Sequence, residues 1–302
     1  MTTPSQNTQP NTQPPIVVPL DGSELAERAL PAAERLARAL RRPLLLVNVI
    51  AINTWAYLPP SAVFPPATYQ EVLKEEDRAS QHYLRDVSQR LAAKELSVHI
   101  RSLRGDPASA IIDTARGEAA PLIVMASHGH TGLARFALGS VADRVVSYGR
   151  VPTLLVRALG ESMDAAQLER AIVPLDGSDT AERALSLVAQ LAGDPLREVT
   201  LIQVVNPEVR AGQTDEARHY LEGASQRLEQ RLAGKACAVT TQVLYGNVDE
   251  QIIDAATRQG GLIIMGTHGR SGIERWAYGS VASHVLRGTR TPLLLVHTLA
   301  QV

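Results

Sequence analysis

Residues 19–30 read PLDGSELAERAL, and residues 174–185 read PLDGSDTAERAL. Ten of the twelve positions agree at a spacing of 155, so the chain repeats itself. A second pair extends the repeat: MASHGHTGLARFALGSVA at 125–142 aligns with MGTHGRSGIERWAYGSVA at 265–282, now at a spacing of 140. A longer loop in the first half, roughly 51–70, accounts for most of the change. It carries Trp55, Tyr57, Phe64 and Tyr69 among four prolines, and its counterpart near 206–213 is short and polar. Such a loop reads either as a lid over a first-half site or as packing against the other half or another chain. Packing is the simpler reading, since large surface aromatics mark interfaces.

Working outward from the repeats, each half alternates strand and helix. Strand 1 is expected over 16–20 or 171–175, and strand 2 over 44–50 or 199–205. Strand 3 falls at 97–103 or 238–244, strand 4 at 122–125 or 262–265, and strand 5 at 153–156 or 293–296. Helix 1 shows Leu25, Ala26, Ala29, Leu30, Ala33, Leu36, Ala37 and Leu40 at helical spacing. Pro31 interrupts that pattern and should kink it, whereas the second half has Ser186 there. A long helix is expected over 71–92 or 214–232, a short one over 108–116 or 248–258, and a last one from Ser140 or Ser280. Strands such as LLLVNVI and LIVM are apolar throughout, which suits parallel strands covered on both faces. The alternation argues for an α/β fold made of two tandem doubly wound domains. Their expected limits are 16–160 and 161–302, after a tail at 1–15. That tail is rich in Gln, Asn, Thr and Pro, is expected to be disordered, and lacks the basic start and apolar middle of a secretory signal.

Composition narrows the function. The chain has 302 residues, 45% of them hydrophobic, enough for two cores. A net charge of −1 gives no global pull toward nucleic acid or an anionic membrane, so neither is an expected partner. Cys237 is the sole cysteine, which excludes an internal disulfide and a cysteine-rich metal site. No apolar run approaches the ~20 residues of a membrane span. The expected location is the cytoplasm. No triad, carboxylate pair or metal cluster points to a fast enzyme, so no catalytic or metal-binding residue is assigned.

The loop after strand 4 carries the chemistry. In the second half it runs Gly266, Gly269, then Gly279-Ser280 at the start of a helix. Glycines let backbone approach a ligand closely, successive N–H groups can cradle an anion, and a helix N-terminus favours phosphate. The alternative is a glycine-rich turn used for tight packing. His128 and His268 lie in these loops, as loop-holding or ligand-bonding groups rather than general bases. His130 and Arg270 follow, facing either phosphate or solvent. Asp21 and Asp176 each precede Gly-Ser, which is also ordinary turn and helix-cap chemistry.

The pattern G-x2-G-x9-G-[ST] after strand 4, with an Asp ending strand 1, resembles the universal stress protein family across nearly the whole chain, twice. The resemblance implies a five-stranded parallel sheet of order 3-2-1-4-5 in each half, with strands 1 and 4 flanking a crevice. It also implies that strand 5 of one half meets its mate from the other, giving a pseudo-dimer within the chain that could assemble further into a homo-oligomer. In ATP-binding members the corresponding positions hold adenosine and phosphates. Carried over, they are Pro174, Leu175, Asp176, Val204, Met265, Gly266, Gly269, Gly279, Ser280 and Val281, with Arg270 beside them. In the first half they are Pro19, Leu20, Asp21, Val49, Met125, Gly129, Gly139, Ser140 and Val141, with Ala126 where the leading glycine should stand. That methyl is expected to weaken the first site, by clashing with ligand or by straining a positive-φ backbone. The resulting expectation is a stress-response protein binding ATP or a related adenine nucleotide, alone or with magnesium, more strongly in the second half. Its alternatives are a slow ATPase or self-phosphorylating enzyme, and an interaction module that no longer binds nucleotide.

Overall fold

The computed structural model describes residues 13–51, 66–128, 138–157, 165–205, 213–268 and 278–297. The proposed domain junction near 160, the aromatics Trp55, Tyr57 and Phe64, and the loop residues Gly129, His130, Gly269 and Arg270 lie outside them.

In the first half the order is β1 (Ile16–Pro19), α1 (Glu24–Glu27), α2 (Leu30–Leu40), β2 (Leu44–Ala51), α3 (Pro66–Ala92), β3 (Val98–Gly105), α4 (Pro107–Gly117), β4 (Ile123–Ala126), α5 (Ser140–Tyr148) and β5 (Thr153–Val156). The second half follows with β6 (Arg170–Pro174), α6 (Asp179–Leu191), β7 (Glu198–Val205), α7 (Gln213–Leu232), β8 (Ala238–Tyr245), α8 (Val248–Gln259), β9 (Leu262–Gly266), α9 (Ser280–Gly288) and β10 (Leu293–Val296). Pro31 does more than kink the first helix. It lacks the N–H that would bond back to Glu27, so α1 stops and α2 restarts with the proline in its first turn. With Ser186 in its place, α6 runs unbroken.

All strands join one ten-stranded sheet, ordered β3-β2-β1-β4-β5-β10-β9-β6-β7-β8. Each half has the order 3-2-1-4-5, and within each half the pairings are parallel. At the centre β5 and β10 run antiparallel, with Leu154 opposite Leu294. These short apolar strands would otherwise be exposed edges, and pairing with each other removes that liability. One core lies between the sheet and α1, α2, α3, α6 and α7; a second lies beneath α4, α5, α8 and α9. Neighbouring strand residues feed opposite cores, as Val17 and Val18 do, which is why the strands carry no polar alternation.

Side chains tie the halves beyond the sheet. Arg35 of α2 reaches Glu169 at 3.3 Å and Asp194 at 3.2 Å. The Tyr278 hydroxyl donates to Asp143 of α5 at 2.5 Å, and the Arg157 guanidinium donates to the Leu286 carbonyl in the last turn of α9. That last contact places a cation at the negative end of a helix dipole.

Candidate functional site

Where strand order reverses between β1 and β4, and again between β6 and β9, the carboxyl ends of the strands diverge and leave a cleft. The first-half cleft is about 740 Å3 and the second about 670 Å3. Every described residue expected at the first site lines the first cleft: Pro19, Leu20, Asp21, Val49, Met125, Ala126, Gly139, Ser140 and Val141. Pro174, Leu175, Asp176, Val204, Met265, Gly266, Gly279, Ser280 and Val281 line the second.

One wall is the Asp-Gly-Ser turn. Oδ1 of Asp21 accepts from the Ser23 backbone N–H at 3.0 Å, and Asp176 does the same for Ser178 at 3.0 Å. Each serine hydroxyl then caps the following helix by accepting from Ala26 or Ala181. The glycine between them adopts positive φ, 84° at Gly22 and 78° at Gly177, so the turn requires it. The aspartates are therefore turn carboxylates, the helix cap is the serine two residues on, and the turn role coexists with their position on the cleft.

The opposite wall is the start of the last helix. The Gly139 N–H donates to the Ser127 carbonyl at 2.8 Å, and Gly279 does so to Thr267 at 2.8 Å. This bond pins the glycine loop at its neck. A Cβ on Gly139 would come within 3.1 Å of the Ser127 carbonyl oxygen, so the close approach favours glycine. Neither Gly139 nor Gly279 supplies a side-chain cap, which leaves the first-turn N–H groups of α5 and α9 without one from the N-cap residue among the described residues. Ser140 and Ser280 are exposed there.

His128 and His268 point their Nδ1 atoms at the neighbouring hydroxyls, Ser127 at 3.0 Å and Thr267 at 3.2 Å. That arrangement fits the loop-holding role. Each helix wall is also braced from outside the cleft. Asp106, the cap of α4, pairs with Arg144 of α5 at 2.6 Å, and Asp249 of α8 pairs with His284 of α9 at 3.1 Å. Hydrogen bonds from Arg144 and Ser109 hold the Asp106 carboxyl well below the usual range.

Ala126 corrects an expectation. It ends β4 in strand conformation and is not among the positive-φ residues, so no strain attaches to it. A Cβ at its counterpart Gly266 would lie 2.7 Å from Cγ2 of Thr180 in the first turn of α6. Thr180 aligns with Leu25, a residue without β-branching. The glycine–alanine difference goes with a threonine–leucine difference at the aligned helix position, and the strain argument for a weakened first site falls away.

The sequence reading missed three residues in each half. Tyr83 and Tyr220 line the clefts from the long helices. Tyr220 donates to Glu182 Oε1 at 2.9 Å, and Arg227 donates to the same oxygen at 2.8 Å. Arg90 donates to Glu27 at 2.8 Å in the first half, and the Tyr83 hydroxyl is buried beside that glutamate. Burial first, then the glutamate, raises both phenol pKa values, so both rings stay neutral. The signal was available as a tyrosine followed seven residues later by an arginine in both long helices. The halves differ next to this motif. Asn48 donates to the Leu20 carbonyl at 2.7 Å and accepts from Ser80 at 2.7 Å, and Ser80 also meets Ser102 at 2.8 Å. In the second half the corresponding amide oxygen, Gln203 Oε1, is buried without a hydrogen-bond partner among the described residues.

Among the described residues no group of three His, Cys, Asp or Glu side chains is placed to hold a metal ion. No helix among them is long and apolar enough to cross a membrane.

Comparison with known proteins agrees with this architecture. A family model described as the universal stress protein family matches residues 14–157 and again 168–297. The universal stress protein MJ0531 of Methanocaldococcus jannaschii is 33% identical over 142 residues, covering 47% of this chain and 81% of that protein. The universal stress protein Rv2005c of Mycobacterium tuberculosis is 24% identical over 308 residues, covering 95% of this chain and 98% of its own. The crystal structure of a universal stress protein from Archaeoglobus fulgidus superposes with a TM-score of 0.72 at 20% identity, covering 93% of this chain and 97% of that one, a likeness of fold.

Proposed function

This chain belongs to the universal stress protein family, and on that premise we propose that each half binds an adenine nucleotide, ATP foremost, in the cleft at its strand-order reversal. The observation that carries the reading is a convergence repeated in both halves. A carboxylate turn, an apolar floor of Val49 with Met125 or Val204 with Met265, and an uncapped helix N-terminus with its serine face one cleft. An apolar end suits a base, and a helix N-terminus suits phosphate. Cleft volumes near 700 Å3 fall inside the roughly 300–1,000 Å3 of small-ligand sites. Gly129, Gly269 and Arg270 belong to the same proposal as phosphate-facing loop residues. With Ala126 in unstrained strand conformation, the two clefts are proposed to bind comparably. In this reading the protein is a binding protein of the stress response that acts through nucleotide occupancy.

Titration calorimetry of the nucleotide-free chain with ATP tests this. The expected isotherm gives two equivalents per chain. A flat isotherm from folded, nucleotide-free protein would contradict it.

A further inference from the structure

We propose that Tyr83 and Tyr220 are ligand-contact residues, one per cleft, whose rings pack against the base of the bound nucleotide. This rests on the nucleotide reading above and adds to it a residue pair outside the strand ends and glycine loops. Each tyrosine sits on the long helix of its half, beside the glutamate of the helix that the Asp-Gly-Ser turn opens, and each lines the cleft.

The hydroxyls do not reach for ligand. That of Tyr220 is donated to Glu182, and that of Tyr83 is buried beside Glu27. With the hydroxyl turned away, the part of each residue left to line the cleft is the ring. The glutamate is itself held by Arg90 or Arg227 from two helical turns further along. The Tyr220 ring is thereby fixed at both ends, by the backbone of its helix and by a hydroxyl bonded to a charge-held glutamate, and the Tyr83 ring is held by its helix and by the burial of its hydroxyl. A ring fixed in advance loses little freedom when a planar ligand packs on it, which is where aromatic contacts gain affinity. The three-residue unit recurs in both halves although the long helices align at a spacing of 137, not the 155 of the first strands. Its neighbours differ, with Ser80 beside Tyr83 and Ala217 beside Tyr220, so the unit is retained where its surroundings are not.

The test compares wild type, a Tyr83→Phe/Tyr220→Phe chain and a Tyr83→Leu/Tyr220→Leu chain in ATP calorimetry. The leucine pair should weaken ATP binding about tenfold, ~1.4 kcal/mol, and the phenylalanine pair should restore most of it. A purely structural role is separated by NMR on the wild-type chain with labelled tyrosines. Nuclear Overhauser effects are expected between the adenine protons and the rings of Tyr83 and Tyr220, assigned by the phenylalanine variants. Unchanged ATP affinity in a folded leucine variant overturns the proposal. So does ATP binding to wild type with no Overhauser effect to either ring, which also decides the matter if the leucine variant does not fold. Failure of wild type to bind ATP at all overturns the nucleotide reading itself.

Discussion

Thr180, 4% exposed in the first turn of α6, occupies the space that a methyl on Gly266 would need, 2.7 Å from its Cγ2. In the first half the same two positions are Leu25 and Ala126. Gly266→Ala should therefore overpack the second half and cost ~1–3 kcal/mol in urea unfolding. Thr180→Ser, which removes Cγ2, should recover most of that loss in the double variant. Ala126→Gly should leave first-site ATP affinity unchanged. Additive losses in the double variant, or tighter binding by Ala126→Gly, would show that the two positions are not coupled this way.

The central pairing makes the sheet continuous. Leu154 and Leu294 are 0% and 1% exposed and face each other there. Leu154→Lys should bury an unpaired charge, at a cost of about 3 kcal/mol or more. Small-angle scattering should then report separated halves or aggregation. Arg35→Ala removes only a partly exposed ion-pair network and should cost no more than ~1 kcal/mol. A compact, fully stable Leu154→Lys protein would contradict the assignment of β5 and β10 as the join.

His297, just after β10, supplies a pH dependence. Burial first, and then His268, lower its pKa to about 4 from an ordinary 6.5. The unfolded chain thus takes up this proton at higher pH than the folded one. The stability it contributes is complete above about 6.5 and is lost progressively toward about 4. His297→Phe should flatten that acid limb while leaving unfolding at about pH 7 little changed. An identical acid limb in the variant would exclude His297 as its source.

Ser80 gives the first half a polar link that the second lacks. Its hydroxyl serves both Asn48 and Ser102, so Ser80→Ala leaves two half-buried groups short of a partner. Thermal unfolding should show a loss of ~0.5–1.5 kcal/mol. Gln203→Met, which removes a buried oxygen with no partner among the described residues, should be neutral or stabilising. The reverse order of effects would mean that Ser80 is not what satisfies the Asn48 amide.

The parts legible in sequence were those encoded locally or by repetition. The two PLDGS turns, the apolar strands and the Gly-Ser before the last helix mark the repeated α/β elements directly, and the family resemblance they carry implies the sheet order and the cleft. The break at Pro31 was legible as a disturbance but not as two helices. What sequence did not give depends on residues distant in the chain meeting across layers. Thr180 explains Gly266 only once α6 lies over the end of β9. Glu182 explains Tyr220 only once α7 packs beside α6. Ala126 reads as a defect because the strand conformation that frees it of strain belongs to the backbone and not to the motif.

The central claim is that both clefts hold nucleotide phosphates at the N-termini of α5 and α9. Ser140 and Ser280 are exposed first residues of those helices. An aspartate there suits the helix dipole, so Ser140→Asp/Ser280→Asp should fold with undiminished Tm, yet its carboxylates compete for the same N–H groups and repel phosphate. The decisive measurement is ATP calorimetry on this double variant beside wild type. The account predicts affinity reduced by about tenfold or more at both sites. A folded double variant that binds two ATP equivalents as tightly as wild type would contradict it.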